Sequence, residues 1–202
     1  CPMDTTELAD RLAIAETLAL YCRGIDRCDA EQLAAAFTPD AKIDYGDGAK
    51  PILEVIPGLV AGLGTMRLTQ HNISNTVIRI AGLTARAETN CVALHIIPTP
   101  DGEIELVVGG RYLDRLEKRE GRWHIAERLY VMDWNRSAPA TMALAGGLFD
   151  GLQRRGARGA AGAGAGRGAP PAPARGPAPP PPPARGHLPL PSSHPSGASS
   201  FF

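Results

Sequence analysis

The spacing of apolar residues changes once along this chain, and that change constrains the fold more than any other feature of the sequence. Up to about residue 63, apolar residues recur every three or four positions, which is typical of amphipathic helices. From residue 71 onwards they alternate with polar residues over long segments joined by short turns. Helices followed by such a meander predict an α+β fold, in which a bent antiparallel sheet wraps around the N-terminal helices.

Caps, turns and helix breakers predict where these elements begin and end. We predict helices over residues 4–24, 30–37 and 51–63, with Thr38-Pro39-Asp40 stopping the second and Pro57 and Gly58 breaking the third. We predict a short strand over residues 41–45 and long strands over residues 71–80, 84–97, 104–117 and 123–134. Short connections containing Gly predict that the long strands are antiparallel neighbours.

Composition separates the end of the chain from the rest. All 33 residues from 154 to 186 are Arg, Gly, Ala or Pro, a composition that buries too little apolar surface to offset the entropy lost on folding. We therefore predict one folded domain over residues 4–136, a C-terminal extension over 137–153 and a disordered low-complexity tail over 154–202. A frame-shifted translation of GC-rich DNA would give the same tail composition, so we assign the tail no function.

Charge is also divided between these regions. All 21 acidic residues lie at or before Asp150, whereas six Arg residues follow it, so the neutral chain combines an acidic domain of net charge −6 with a basic tail of +6. A domain of that sign does not attract nucleic acid, and six dispersed Arg residues make a poor phosphate-binding surface. We expect no nucleic-acid partner.

Cysteine and histidine spacing argues against a metal site. Cys1, Cys22, Cys28 and Cys91 form no CxxC pair, and no two His residues or carboxylates stand four residues apart on a predicted helix. We expect reduced thiols, a cytoplasmic location, no metal and no cofactor. A run of about 18 apolar residues is also missing, so we expect no membrane partner. The start at Cys1 rather than Met leaves a lost leader sequence open.

Asp26 and His71 give the strongest indication of chemistry. On a helical wheel Asp26 falls in one apolar arc of the first helix, with Leu8, Leu12, Ala15, Ala19 and Cys22. Burying an unpaired carboxylate costs several kcal/mol, so Asp26 needs a partner there, and His71 is the most credible one. In the alternative interpretation, Asp26 caps a helix end and points to water.

Arg128 is a second charge in an apolar context, and its strand predicts a subunit contact. With strict alternation, Arg128 shares one strand face with Tyr130, Met132 and Trp134, while large apolar residues also occupy the other face. We interpret one face as packing on a core or pocket and the other on a partner subunit. A solvated Arg, or a salt bridge to the helix layer, remains the alternative for Arg128. For His95, a pocket position and a hydrogen-bonded His at a strand end both remain open.

Several segments resemble the SnoaL-like domains of the nuclear-transport-factor-2-like superfamily. They are YCRGIDRCD (21–29), LAAAFTPDA (33–41), QHNISN (70–75), GGRYLDRLE (109–117), GRWHI (121–125), and the pairs ER (127–128) and DW (133–134). The resemblance extends over about residues 4–135. It implies a cone-shaped α+β barrel in which helices close one side of a bent sheet and leave a deep, mostly apolar pocket.

Within that superfamily the chain resembles a subgroup of lyases that includes scytalone dehydratase, bile-acid 7α-dehydratase and hexachlorocyclohexane dehydrochlorinase. The resemblance implies that His71 removes a proton, that Asp26 orients and charges His71, and that Arg128 lines the pocket. Tyr21 matches a Tyr of the bile-acid enzyme where the dehydrochlorinase has a Lys. That difference argues against loss of chloride and favours loss of a hydroxyl group or another proton transfer.

These residues predict a cofactor-independent, dehydratase-like lyase or an isomerase that acts on a small hydrophobic oxygenated ring compound. His71 would be the general base, while Tyr21 and Arg128 would polarise a substrate oxygen. The pocket is expected to be shaped by Ile43, Met66, His95, Val108 and Tyr112. The alternative is a non-catalytic ligand-binding or accessory domain of the same fold. Like the related lyases, the protein is expected to be a homo-oligomer, a trimer or a dimer.

Overall fold

The computed structural model of the protein describes residues 4–141, so the predicted disordered tail and most of the extension lie outside the described residues. The helices are α1 (Thr5–Arg27), α2 (Ala30–Ala35) and α3 (Ile52–Gly64). The strands are β1 (Phe37–Asp44), β2 (Lys50–Pro51), β3 (Leu68–Ala81), β4 (Thr84–Thr99), β5 (Gly102–Arg119) and β6 (Arg122–Pro139). None of the helices in this range is long and apolar enough to cross a membrane.

The strands form one curved, open sheet of six strands in the order β2-β1-β6-β5-β4-β3. The four long strands are the predicted antiparallel meander, and the helices precede them, so the predicted α+β fold class is confirmed. One neighbouring pair departs from the prediction, because β1 runs parallel to β6. β1 enters the sheet from the helical layer and not through a hairpin, so nothing forces the antiparallel direction on it.

Helix α1 packs on the sheet through a different face from the predicted one. Leu8 and Leu12, which define the predicted apolar arc, are 49% and 64% exposed. The buried face consists of Ile14, Thr17, Leu18, Tyr21, Cys22 and Ile25. Ala and Leu residues are spread around this helix, so the wheel offers two overlapping arcs, and the bulkier arc is buried against the sheet. Asp26 lies at the edge of that buried face and not in the middle of an apolar stripe.

Two β-bulges in β6 overturn the predicted alternation of its side chains. Register shifts leave Ala126 and Asp133 as extra residues opposite β5. Each bulge reverses which residues face the helices. Trp123 and Ile125 are therefore buried on the same side as Arg128, and Trp134 lies on the opposite face from Tyr130.

The predicted end of α2 and the predicted break in α3 were also wrong. Residues 38–40, expected to stop α2, belong to β1, and α3 continues through Pro57 without a break. Proline removes one helical hydrogen bond and bends the chain, but the flanking turns of α3 remain helical on both sides. The two-residue strand β2 was not predicted.

Candidate functional site

Asp26 lies in the last turn of α1, where the helix end directs it towards β3. Cys28 ends the helix in the left-handed conformation (φ 53°), and its backbone N–H donates to the carbonyl oxygens of Gly24 and Ile25. The Oδ1 atom of Asp26 accepts a hydrogen bond from the hydroxyl of Thr69 (3.1 Å), and Oδ2 accepts one from the backbone N–H of His71 (2.9 Å). The alternative of a helix cap that points to water is therefore wrong.

The imidazole of His71 is held by the same carboxylate. Its Nδ1 lies 2.8 Å from Oδ1 of Asp26, and only 9% of the side chain is exposed. Because an ionised carboxylate only accepts hydrogen bonds, this contact requires a proton on Nδ1 and leaves Nε2 as the free base of the neutral ring. The His95 ring packs edge-on against His71, with ring centroids 5.4 Å apart.

Arg128 is buried in β6 and paired with Asp114 of the neighbouring strand. Its Nε and Nη2 atoms donate to the two carboxylate oxygens at 2.7 and 2.8 Å, and neither side chain is exposed. The guanidinium packs against the rings of both Tyr21 and Tyr112, at 3.9 and 4.0 Å from their centroids. Burial would lower the pKa of Arg128, but the Asp114 carboxylate outweighs this effect and raises the pKa well above its usual value. Neither a solvated Arg nor a salt bridge to the helices, the two alternatives above, is correct.

The four tyrosines of the chain form a cluster in which Tyr21 and Tyr112 contact the guanidinium and Tyr45 and Tyr130 pack on these two. The hydroxyls of Tyr21 and Tyr45 are hydrogen-bonded, and the Tyr130 ring lies 5.5 Å from Tyr112 and 6.3 Å from Tyr45 between centroids. Burial raises the pKa of each phenol, for Tyr130 to about 12 and for Tyr45 and Tyr112 well above 10. These phenols therefore stay protonated at neutral pH, so they can donate hydrogen bonds but cannot act as bases.

Two buried thiols, Cys22 and Cys91, feel the charges of both Asp26 and Arg128. Cys22 is within electrostatic reach of Asp26, Arg128 and Cys91, and burial raises the pKa of its thiol to about 12. Cys91 is also within reach of both Asp26 and Arg128, and its thiol donates to the hydroxyl of Tyr112 (3.3 Å). The pair and the buried Arg therefore belong to one interior region. Between residues 4 and 141, no group of three or more His, Cys, Asp or Glu residues is placed to hold a metal ion.

A cavity of about 560 Å³ lies between the end of β1 and one side of α3. It is lined by Ile43, Tyr45, Asp47, Lys50, Glu54, Val55, Gly58, Leu59, Gly62, Leu63 and Met66. Of the predicted pocket residues, Ile43 and Met66 line this cavity. His95, Val108 and Tyr112 do not line it, and neither do Asp26, His71, Tyr21 and Arg128.

Val108 and Tyr45 show how the cavity relates to the region that contains Asp26, His71 and Arg128. Val108 pairs across β4 with Ala93, which pairs with His71, so Val108 shares the concave sheet face with the Asp26–His71 pair. Tyr45 lines the cavity and is bonded to Tyr21, whose ring covers Arg128. Tyr45 and Asp114 were not predicted as site residues. Both have the inward phase of their predicted strands, and that phase could have indicated them.

Comparison with known families shows which family the chain belongs to. The model of the SnoaL-like domain matches residues 6–129, which is more than half of the chain and includes Asp26, His71 and Arg128. The chain belongs to the SnoaL-like family. The predicted family is therefore confirmed.

Relatives of this SnoaL-like protein include an uncharacterized protein of Mycobacterium bovis, 30% identical over 132 residues that cover 63% of this chain and 88% of the relative. A crystal structure of a candidate scytalone dehydratase from Novosphingobium aromaticivorans is 25% identical, with a TM-score of 0.60, covering 70% of this chain and 99% of that one. The crystal structure of a type 3 hexachlorocyclohexane dehydrochlorinase from Novosphingobium barchaimii is 18% identical, with a TM-score of 0.60. The match covers 72% of this chain and 100% of that one. At this identity the likeness supports the fold alone.

Proposed function

We propose that this SnoaL-like domain is a cofactor-independent lyase that removes water from a small hydrophobic oxygenated ring compound, or isomerises such a compound, by proton transfer. The observation that carries the proposal is the contact between Nδ1 of His71 and Oδ1 of Asp26. A largely buried His with one nitrogen fixed by a carboxylate and the other free to accept a proton is the arrangement of a general base. The name of the related candidate scytalone dehydratase agrees with dehydration.

The proposed reaction begins when Nε2 of His71 removes a proton from a carbon next to a substrate carbonyl. Asp26 stabilises the imidazolium that forms, because its carboxylate stays bonded to Nδ1. A protonated phenol donates to the carbonyl oxygen as negative charge develops there. Tyr45 is the phenol that lines the cavity, while Tyr21 and Arg128 lie behind it. Because His71 does not line this cavity, the reaction requires a substrate that extends from the cavity to His71. The enolate then re-forms the carbonyl and a conjugated C=C bond as the C–O bond at the β-carbon breaks, and the imidazolium gives its proton to that hydroxyl group, which leaves as water.

Turnover of a panel of hydroxylated cyclic ketones, followed by absorbance and by mass spectrometry of the product, tests this function. We expect at least one member to lose water with the wild type, and we expect His71→Ala to abolish that reaction because it removes the base. His124→Ala is the matched control, since the His124 ring is bonded to the Ala35 carbonyl oxygen near the start of β6, and it should retain activity. Undiminished turnover in folded His71→Ala would contradict the mechanism.

A non-catalytic ligand-binding role is the second candidate, and one observation favours it. The cavity between β1 and α3 is not lined by Asp26 or His71, so a ligand could fill it without touching the base. Binding of a panel compound with equal affinity to the wild type and to His71→Ala, with no product from either, would support this role over the lyase.

We further propose that the outer face of the sheet joins copies of this chain into a trimer or dimer. Val92, Leu129 and Trp134 are large apolar residues on that face, each between 41% and 50% exposed. We expect Leu129→Asp to shift the full-length protein towards monomer in sedimentation equilibrium, because a buried carboxylate opposes association. Leu83→Asp is the control, since Leu83 is exposed in a turn away from that face. A wild-type monomer at micromolar concentration would count against the interface.

A further inference from the structure

Thr69 and His71 of β3 hold the same carboxylate. They are two residues apart in one strand, so their side chains lie on the same face of the sheet. The Thr69 hydroxyl donates to Oδ1 of Asp26 at 3.1 Å, and Nδ1 of His71 lies 2.8 Å from that same oxygen. The other oxygen, Oδ2, accepts from the backbone N–H of His71 at 2.9 Å. Oδ1 is therefore shared between the ring of His71 and a hydroxyl that has no part in the proposed mechanism.

The burial of Thr69 makes its hydrogen bond a restraint on the carboxylate. Only 6% of Thr69 is exposed, so water does not readily take the place of its hydroxyl. The imidazole cannot fix Oδ1 by itself, because both the ring and the carboxylate turn about terminal torsions whose preferences are broad. The Thr69 hydroxyl is a donor to Oδ1 that does not move with the ring of His71. It therefore keeps Oδ1 in place when the ring turns.

Another threonine shows what a purely structural hydroxyl does in this fold. Thr17 of α1 donates to the carbonyl oxygen of Trp123 in β6 at 2.9 Å and to that of Ala13 in its own helix at 3.0 Å. These bonds join the helix to the sheet through the backbone alone. The bond from Thr69 also joins the sheet to α1, but its acceptor is the carboxylate that holds His71. The acceptor is the difference between the two threonines.

We propose that Thr69 is a positioning residue for proton transfer by His71, and that it acts through Oδ1 of Asp26. With the hydroxyl in place, Oδ1 stays in line with Nδ1, and Nε2 points at one fixed site. Without it, the carboxylate and the ring turn together, so fewer bound substrate molecules meet Nε2 at the distance and direction that proton transfer requires. The inference rests on the proposed function in taking His71 as the base.

Thr69→Val in the full-length protein tests this, because valine keeps the branched shape and replaces only the hydroxyl. We expect kcat on a substrate found in the panel to fall about tenfold or more, the size of one hydrogen bond to a charged group. KM should change little, since the lost bond orients the base and does not bind the substrate. Thr69→Ser keeps the hydroxyl and should restore most of the activity.

A second measurement needs no substrate. In proton NMR of histidine-labelled protein, the Nδ1 proton of His71 is identified by its absence in His71→Ala. Because this proton is held by Asp26, we expect a sharp resonance in the wild type and in Thr69→Ser. In Thr69→Val the resonance should broaden, since a turning ring exposes the proton to exchange with water.

Two other buried threonines are the matched controls. Thr89 of β4 is fully buried, and its hydroxyl has no hydrogen-bond partner among residues 4–141, so Thr89→Val should change neither kcat nor the resonance. Thr17→Val should lower the melting temperature and leave the resonance sharp, because its bonds go to backbone carbonyl oxygens.

The proposal is overturned if the resonance stays sharp in Thr69→Val, if that variant keeps the wild-type kcat, or if either control produces the same changes. Absence of turnover for every panel compound would reject the lyase. The resonance would then still decide whether Thr69 positions His71, so the two failures are distinguishable.

Discussion

Asp114→Asn is expected to lower the free energy of unfolding by about 3–5 kcal/mol, the range found when one partner of a buried ion pair is removed. The carboxylate of Asp114 accepts two hydrogen bonds from Arg128, and both side chains are fully buried. With Asn in its place, the guanidinium keeps its charge against the rings of Tyr21 and Tyr112 with no counter-charge beside it. Urea unfolding at neutral pH, monitored by circular dichroism, measures the loss.

The chain supplies a control with the same geometry at the surface. Arg111 donates to the two carboxylate oxygens of Asp133 at 3.0 and 3.1 Å, but these side chains are 35% and 40% exposed. Asp133→Asn should therefore cost much less than Asp114→Asn, because solvent screens the exposed pair. The double variant Asp114→Leu with Arg128→Met should regain much of the loss, since it leaves no unpaired charge. Equal losses for Asp114→Asn and Asp133→Asn would show that burial of the ion pair does not matter.

Asp26→Asn is expected to reduce kcat/KM by about two or more orders of magnitude while the protein stays folded. Asp26 accepts hydrogen bonds from Thr69 and from both the backbone and the ring of His71. An amide has one acceptor oxygen and an NH₂ group that donates, so it cannot receive all three, and it favours the His71 tautomer whose Nε2 carries the proton. Steady-state kinetics on a substrate found in the panel, with thermal melts in parallel, separates lost chemistry from lost folding.

Asp29→Asn is the control for this substitution. Asp29 lies three residues later and caps α2, accepting from the backbone N–H of Gln32 at 3.0 Å. Asn is as good an N-cap as Asp, so both turnover and stability should remain near wild type. Turnover near wild type in Asp26→Asn would mean that the carboxylate does not set the state of His71.

The order of the elements could be predicted from the sequence because it depends on local periodicity. The pairing of Asp114 with Arg128 could not be predicted, because it depends on a bulge. Extending the hairpin register from Leu116 and Ile125 without a bulge would place Asp114 opposite Glu127, whereas the extra residue at Ala126 moves Arg128 there. Periodicity also failed to choose between two apolar arcs of α1, since that choice depends on which arc fits the sheet.

The family resemblance predicted that Asp26 and His71 meet, which their spacing could not predict, because a separation of 45 positions along the chain says nothing about distance in space. Tyr45 was missed because its partner depends on the tertiary structure. Its inward phase was visible in the short predicted strand, but its hydrogen bond to Tyr21 depends on how β1 is placed against α1.

The parallel pairing of β1 with β6 has a consequence for the order in which the protein folds. Ile43 of β1 lies beside Arg128 of β6. β1 is the first strand in the chain, and it cannot pair with β6 until this last strand has been synthesised. Asp26 and His71 belong to α1 and β3 and can meet while the ribosome is still making the meander. The half of the interior that contains Arg128 is completed only when β6 has left the exit tunnel. Until then the edge of β1 that later pairs with β6 is unpaired, and an unpaired strand edge favours aggregation.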